Sequence, residues 1–600
     1  MSYRRRNNSK GVNHALLLAK FFTAVGVLNV SKRIVVLLLH PAGVSTSTKS
    51  FSCTTELQQL CSSTTPKIFH VTKETEVLAP YGGVSRVVHE LATTQFDRFD
   101  VFVVLPKYGF INRTRVLCQL SLPLRGSQKL EATVHVTTIN MINYIMIGAP
   151  SSCPELWSST LSERMYTVPS VCRLRGFDRQ ARDLYFSLAA AALLQRVFPL
   201  VDGVTNAKTS EHARFLIHVH SSHNAPFVYF AKKSRLAPWG KHVRVIYTLH
   251  DYDGEMKTRF KSTEILSTAD FLTEYGDVQT NAVDCLRKQQ TRFLAKRYLH
   301  AFELIMCADV ITAVSHGMLT YLKTQEQATD VLIREYVETG RVQVIPNWVS
   351  SSTWSDAIVA IDPHDPVKSK MRAKELFFAQ LLMTARNTTE SCVILWIGRF
   401  DSNKGIQSLS TVYSATCQNR CILTIMGYHT SDTKDKRVLQ RQITDIRRSR
   451  YAVECPMVLL DDPAMQDNFG LLARAAADAV IITSVQEAYG LVAAESLAFA
   501  SVPIVPSVGG LVDFVCSHRK STHVCNWTGI VYDRSANDEI MSKEIQYAIS
   551  HCLELLDAAQ ARMNAYTELL QRLQESTPTR AKGRQAYDEV VNRLLLSPRT

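Results

Sequence analysis

The chain has no acid among its first fifty-five residues, although that stretch holds eight Lys and Arg. Over all 600 residues Lys plus Arg exceed Asp plus Glu by 68 − 54 = 14, so most of the excess belongs to this leader. A basic balance concentrated that way does not make a nucleic-acid groove. No RNA- or DNA-reading motif occurs either, and no nucleic-acid partner is expected. The fourteen cysteines include no C-x-x-C pair, and only Cys417 and Cys421 lie close together. That pattern reads as reduced, buried thiols, not as a disulfide framework or a zinc site. No apolar run reaches the roughly 20 uninterrupted residues of a membrane span. The run 15–30 is broken by Lys20, and 34–39 is too short, so no stable span is expected. With Arg4-Arg5-Arg6 ahead of those runs and Ser and Thr crowding 45–65, the leader resembles a targeting segment. A tail without a fold, or a start placed too early, are the other readings. The first implies a plastid or another organelle, the others the cytoplasm.

What is present is an ordinary globular composition, 46% apolar, in a chain too long for one core. From Lys67 onward short apolar runs alternate with helical patterns, as in a doubly wound parallel α/β sheet. Candidate strands are 68–71, 101–105, 134–138, 215–219, 243–249 and 309–314, then 393–397, 422–426, 457–460, 479–483 and 502–505. Asp362-Pro363-His364-Asp365-Pro366 suits a linker, and long helical patterns cover 539–574 and 579–596. The expected division is a leader 1–66, a first Rossmann-like domain 67–361, a second 367–536, and C-terminal helices 537–600 packing back on the first. Two such domains would face each other across a cleft.

The strand 393–397 runs into Gly398-Arg399-Phe400-Asp401-Ser402-Asn403-Lys404-Gly405, a turn with two cations five residues apart. Open α/β sheets bind ligands beyond the carboxyl ends of their strands, so an anion is expected there. After the strand 479–483 comes Glu487-Ala488-Tyr489-Gly490-Leu491-Val492-Ala493-Ala494-Glu495, two carboxylates eight apart around a glycine turn. Bases for a diphosphate and carboxylates for hydroxyls are the needs of a nucleotide-sugar site. His218, His220 and His223 form an H-x-H-x-x-H cluster, with the first two on one strand face. No nearby Cys or carboxylate completes a metal site in sequence, and a sheet-edge histidine pair is the reading adopted.

Those turns, together with Gly509-Gly510-Leu511-Val512-Asp513, resemble the donor half of a retaining GT-B glycosyltransferase, most closely the starch and bacterial glycogen synthases. Upstream matches are Pro80-Tyr81-Gly82-Gly83-Val84, Pro106-Lys107-Tyr108-Gly109, Thr248-Leu249-His250, the run 308–315, and Asn347 with Trp354. The resemblance runs from about Lys67 to about Val531. It implies two Rossmann-like domains and transfer of glucose from ADP- or UDP-glucose to the non-reducing end of an α-1,4-glucan. Arg399 and Lys404 would oppose the charge of the departing diphosphate. Glu487 would hold the donor sugar, Glu495 the ribose, and His250 would line the sugar pocket. Gly82, Gly83, Gly398, Tyr489, Gly490, Leu491, Gly509 and Gly510 would present backbone N–H groups to the donor. No cofactor is implied. Asp251-Tyr252-Asp253 reads as D-x-D, but it sits in the first domain, away from the donor grip, and no required metal is expected.

The chain departs from the synthase pattern at Pro80, where a lysine is usual, and at Ser221 and Ser350, where aspartates are. Glu495 is untypical of starch synthases and typical of neighbouring transferases that act on lipids, proteins or small sugars. A transferase with such an acceptor, and a non-catalytic glucan-associated partner, are therefore the two rivals. A glycosidase would need carboxyls about 5 to 9 Å apart and has no use for the paired bases.

Overall fold

The computed structural model describes residues 63, 65–80, 82–123, 129–159, 168–174, 178–202, 215–233, 243–251, 258–261, 298–306, 308–324, 336–349, 362, 364–381, 391–428, 433–453, 455–517 and 527–596. Residues 1–62 of the leader, Tyr81, Asp253, Ser350 and Trp354 thus lie outside the described residues. The chain divides into two compact units, the first ending at Thr312 and resuming at Val590, the second spanning Ala313–Glu589.

In the first unit the strands are β1 (Lys67–Val71), β2 (Asp100–Pro106), β3 (Arg115–Pro123), β4 (Lys129–Ile139), β5 (Ile142–Pro150), β6 (Phe215–His220), β7 (Val243–Leu249), β8 (Arg259–Lys261), β9 (Tyr298–His300) and β10 (Val310–Ala313). The main sheet runs β10-β7-β6-β1-β2-β5-β4-β3, and β8 pairs with β9 apart from it. Its centre is parallel, β7 with β6, β6 with β1, β1 with β2 and β2 with β5. Val/Leu-rich strands such as β2, buried on both faces over 101–105, are what parallel packing requires. The far edge is antiparallel, β5 with β4 and β4 with β3, so the sheet is mixed where an all-parallel one is predicted. Short turns suffice between antiparallel strands, and β4 is joined to β5 by the tight turn at Asn140 and Met141, both at positive φ.

The second unit opens with β11 (Val342–Val344) and holds a six-stranded sheet of β12 (Val393–Ile397), β13 (Ile422–Met426), β14 (Met457–Leu460), β15 (Ala479–Ile481), β16 (Val502–Pro506) and β17 (Ile530–Tyr532), in the order β14-β13-β12-β15-β16-β17. All five pairings are parallel. Helices on its faces include α1 (Pro366–Gln380), α2 (Leu409–Gln418), α3 (Pro463–Ala476) and α4 (Leu491–Ala498). Asp478 accepts the Val393 N–H at 2.8 Å and the Lys374 ammonium at 2.7 Å, which ties α1 to the start of β12. The predicted helix 539–574 is two, α5 (Asp538–Gln560) and α6 (Met563–Glu575), broken at Arg562, whose φ of −128° is not helical. Both pack within this unit, whereas Asn592, beyond its end, accepts from Arg98 Nη2 at 2.6 Å in the first.

The cysteines are not all thiols. Cys153 is bonded to Cys172, Cys392 to Cys421 and Cys417 to Cys455, with Cα separations of 5.7, 4.6 and 5.5 Å. The β12–β13 register Val393↔Ile422 sets Cys392 beside Cys421, a proximity that spacing along the chain does not reveal.

Candidate active site

In the second unit, β12 ends at Ile397 and the backbone turns at Gly398, whose N–H donates to Met426 O at 3.1 Å. Asp401 caps the next turn by accepting the Lys404 N–H at 2.9 Å. Gly405 follows at φ +73°, and a Cβ there would lie 2.1 Å from Thr483 O, so only glycine fits. Thr483 then links the two strand ends, donating to Lys404 O at 2.7 Å and accepting from Trp396 Nε1 at 2.8 Å. Val485 N–H closes the seam on Asn403 O at 2.8 Å. The 398–405 turn and the 484–490 loop are thereby one rigid surface beyond β12 and β15.

On that surface the expected residues meet. Lys404 Nζ lies 2.5 Å from Glu487 Oε2, which also accepts from Ser484 Oγ at 3.0 Å. Arg399 Nε lies 2.8 Å from Asp401 Oδ2. Arg399 is 38% exposed, Lys404 21% and Glu487 18%, so these groups are open to a ligand. Gly490, at φ +98°, begins α4, and the N–H groups of Ala488, Tyr489, Gly490 and Leu491 donate to nothing among the described residues. Gly510 N–H donates to Glu487 O at 3.0 Å, and a Cβ on Gly509 would lie 1.8 Å from that same oxygen. The Gly509-Gly510 turn therefore supports Glu487 from behind. Tyr489 is buried against Phe514, ring centroids 5.2 Å apart, with its hydroxyl pKa raised by burial. Asp513 caps the helix His316–Thr324, accepting from His316 N at 2.6 Å and Gly317 N at 2.8 Å, and burial raises its pKa. Glu495 is placed differently from the other carboxylate. It is 4% exposed and pairs with Arg474 Nε at 3.7 Å inside the unit.

In the first unit, Gly82 caps the helix Gly83–Thr93 with φ −152°, extended backbone open to any residue. The expected demand for glycine is not met by its backbone angle. His250 follows β7, and Asp251 beside it is exposed. The histidines of β6 are not at a sheet edge, because β6 lies between β1 and β7. The register His70↔His218 adds His70, which the sequence reading missed, and ring nitrogens of His70, His218 and His220 lie within 4.8 Å of one another. These three could hold a metal ion. His223 does have a carboxylate nearby, Asp183 Oδ2 at 2.8 Å. Burial pushes the Asp183 carboxyl up, but Arg182, Lys73 and His223 outweigh it and hold it well below its ordinary value.

Residues 67–334 match the family model of the starch synthase catalytic domain, and residues 363–582 match that of a family 4 glycosyltransferase in conflict systems. The chain is a glycosyltransferase resembling the starch and glycogen synthases. It is 24% identical over 472 residues to a glycogen synthase of Chlamydia pneumoniae, covering 75% of this chain and 86% of that one. With a glycogen synthase of Chlamydia muridarum it shares 22% over 537 residues, 84% of this chain and 100% of the other. The solved catalytic domain of starch synthase IV from Arabidopsis thaliana, bound to ADP and acarbose, superposes with a TM-score of 0.69 at 18% identity, over 89% of this chain and 100% of that one. The fold is GT-B.

Proposed function

We propose that this transferase moves glucose, with retention, from ADP- or UDP-glucose to the non-reducing end of an α-1,4-glucan. The observation that carries the reading is the contact of Lys404 with Glu487 on one glycine-braced surface beyond β12 and β15, with Arg399, paired to Asp401, on the same turn as Lys404. Breaking the anomeric C–O bond puts negative charge on the diphosphate and positive charge on the sugar. Arg399 offers a planar multidentate grip and Lys404 a mobile point charge for the first. Glu487 supplies a carboxylate for the second, and the open N–H groups at the start of α4 add partial positive charge toward phosphate. In the free protein each cation rests on a carboxylate, Arg399 on Asp401 and Lys404 on Glu487. A diphosphate binds by replacing those partners, so the pairs keep the grip folded until donor arrives. Domain limits of 67–361 and 367–536, with the last helix returning to the first domain, belong to the same reading.

A second reading, transfer to a lipid, protein or small sugar, is favoured by Glu495 and by Pro80, where the synthases have a lysine. A screen of donor hydrolysis over several nucleotide sugars, with and without glycogen, separates the two. Glycogen elongation supports the glucan reading, and transfer confined to small or lipid acceptors replaces it. Glycogen binding with neither transfer nor hydrolysis would leave a non-catalytic glucan partner.

A further inference from the structure

Four imidazoles lie together in the first unit, and three of them are joined in series. Gln95 Oε1 is 3.0 Å from His70 Nε2, His70 Nδ1 is 3.1 Å from His220 Nε2, and His220 Nδ1 is 3.0 Å from His250 Nε2. A neutral imidazole has one N–H and one lone pair, so such a row can be filled in only two ways, every donor pointing one way or every donor pointing the other. His70 and His220 are fully buried and no carboxylate is hydrogen-bonded to any ring of the row among the described residues, so each contact between rings holds a single shared proton. His218 stands outside the row, its Nε2 engaged 2.6 Å from Thr248 Oγ1.

Gln95 breaks the tie. An amide oxygen can only accept, so His70 carries its proton on Nε2 and leaves Nδ1 bare. His220 must then donate from Nε2 and His250 from Nε2 in turn. Gln95 Nε2 and His250 Nδ1 have no partner among the described residues, so the row has one anchored end and one open end. We propose that Gln95 is a positioning residue that acts through His70 and His220 to hold His250 as its Nε2–H tautomer, with a lone pair at Nδ1 for a hydroxyl donor. That the hydroxyl belongs to the donor sugar rests on the transferase reading above; the tautomer does not.

The test is long-range proton–nitrogen spectroscopy of the full chain labelled with nitrogen-15 in its histidines. His70, His220 and His250 should all show Nε2–H. Gln95→Leu should leave His250 in both tautomers and lower kcat about tenfold, the scale of one lost hydrogen bond, with little change in the donor KM. Nδ1–H at His250 in the unaltered protein, or a His250 spectrum indifferent to Gln95→Leu in a folded variant, overturns the proposal. So does stoichiometric zinc uptake that shifts His70 and His220 together, because a metal there needs the lone pairs of both facing nitrogens. If the row shows Nε2–H throughout and the protein transfers no sugar, the tautomer assignment stands and the transferase reading fails. Should Gln95→Leu not fold, the spectrum of the unaltered protein decides alone.

Discussion

At the scale of single residues, the proposed donor grip is made of charges that are already paired. Arg399→Ala or Lys404→Ala should lower turnover by roughly 10² or more with the fold intact, the scale of losing one transition-state charge contact. Wild-type rates in both variants would remove these residues from the site. Glu487 and Glu495 should separate more sharply than their shared motif implies. Glu487 is partly exposed beside Lys404, so Glu487→Ala should cut kcat while lowering the melting temperature only slightly. Glu495 is buried against Arg474, so Glu495→Ala should cost stability, about 2 kcal/mol, along with any loss of donor affinity. Thermal melts beside saturation curves check both, and an unaltered melt for Glu495→Ala would show that its pairing is dispensable. Arg399, Lys404 and Glu487 were legible because the strand-turn signals around them are local. The Arg474 partner of Glu495, and His70 beside His218, were not, since only strand and helix packing joins residues so far apart in sequence.

At the scale of elements, the site depends on glycines where backbones touch. Gly405→Ala sets a methyl against Thr483 O at a positive φ and should destabilise the second unit by about 1–3 kcal/mol, visible as a lowered chemical-denaturation midpoint. An unchanged midpoint would mean that the 398–405 turn can separate from β15. Strands β1, β6 and β7 carry a different liability. His70, His218, His220 and His250 have folded-state pKa values depressed by burial below the ordinary 6.5, so the unfolded chain binds more protons as the pH falls. Stability from these groups is therefore complete above about pH 6.5 and declines steadily from there toward pH 4. Melting temperatures measured from pH 7.5 to 4.5 should begin to fall near 6.5, and a flat profile down to 5 would contradict the buried, neutral cluster. The bounds of β12, β13 and β14 coincide with the sequence reading because polar turns fence each apolar run. Strands β3 and β5 were missed because the expected βα alternation gives way there to an antiparallel edge, whose only local mark is the turn at Asn140.

At the scale of the whole molecule, the proposed anion grip and the metal-capable side chains are on different units. The cations Arg399 and Lys404 and the open N–H groups at the start of α4 all belong to the second unit, whereas His70, His218, His220 and Asp251 belong to the first. On the proposed reading, neutralising a diphosphate with guanidinium, ammonium and helix N–H groups would leave no task that a bridging divalent ion must perform. Chelator should consequently leave most transfer intact, measured as glucose incorporation with the metal removed and then restored. Complete loss that magnesium reverses would make Asp251 a ligand and require a donor geometry built on the first unit. Loss that zinc but not magnesium reverses would instead point to the three imidazoles, because nitrogen ligands favour zinc while magnesium takes oxygen. The two outcomes place the metal at different strand ends of one sheet, after β7 or between β1 and β6, so the identity of the restoring ion also locates it.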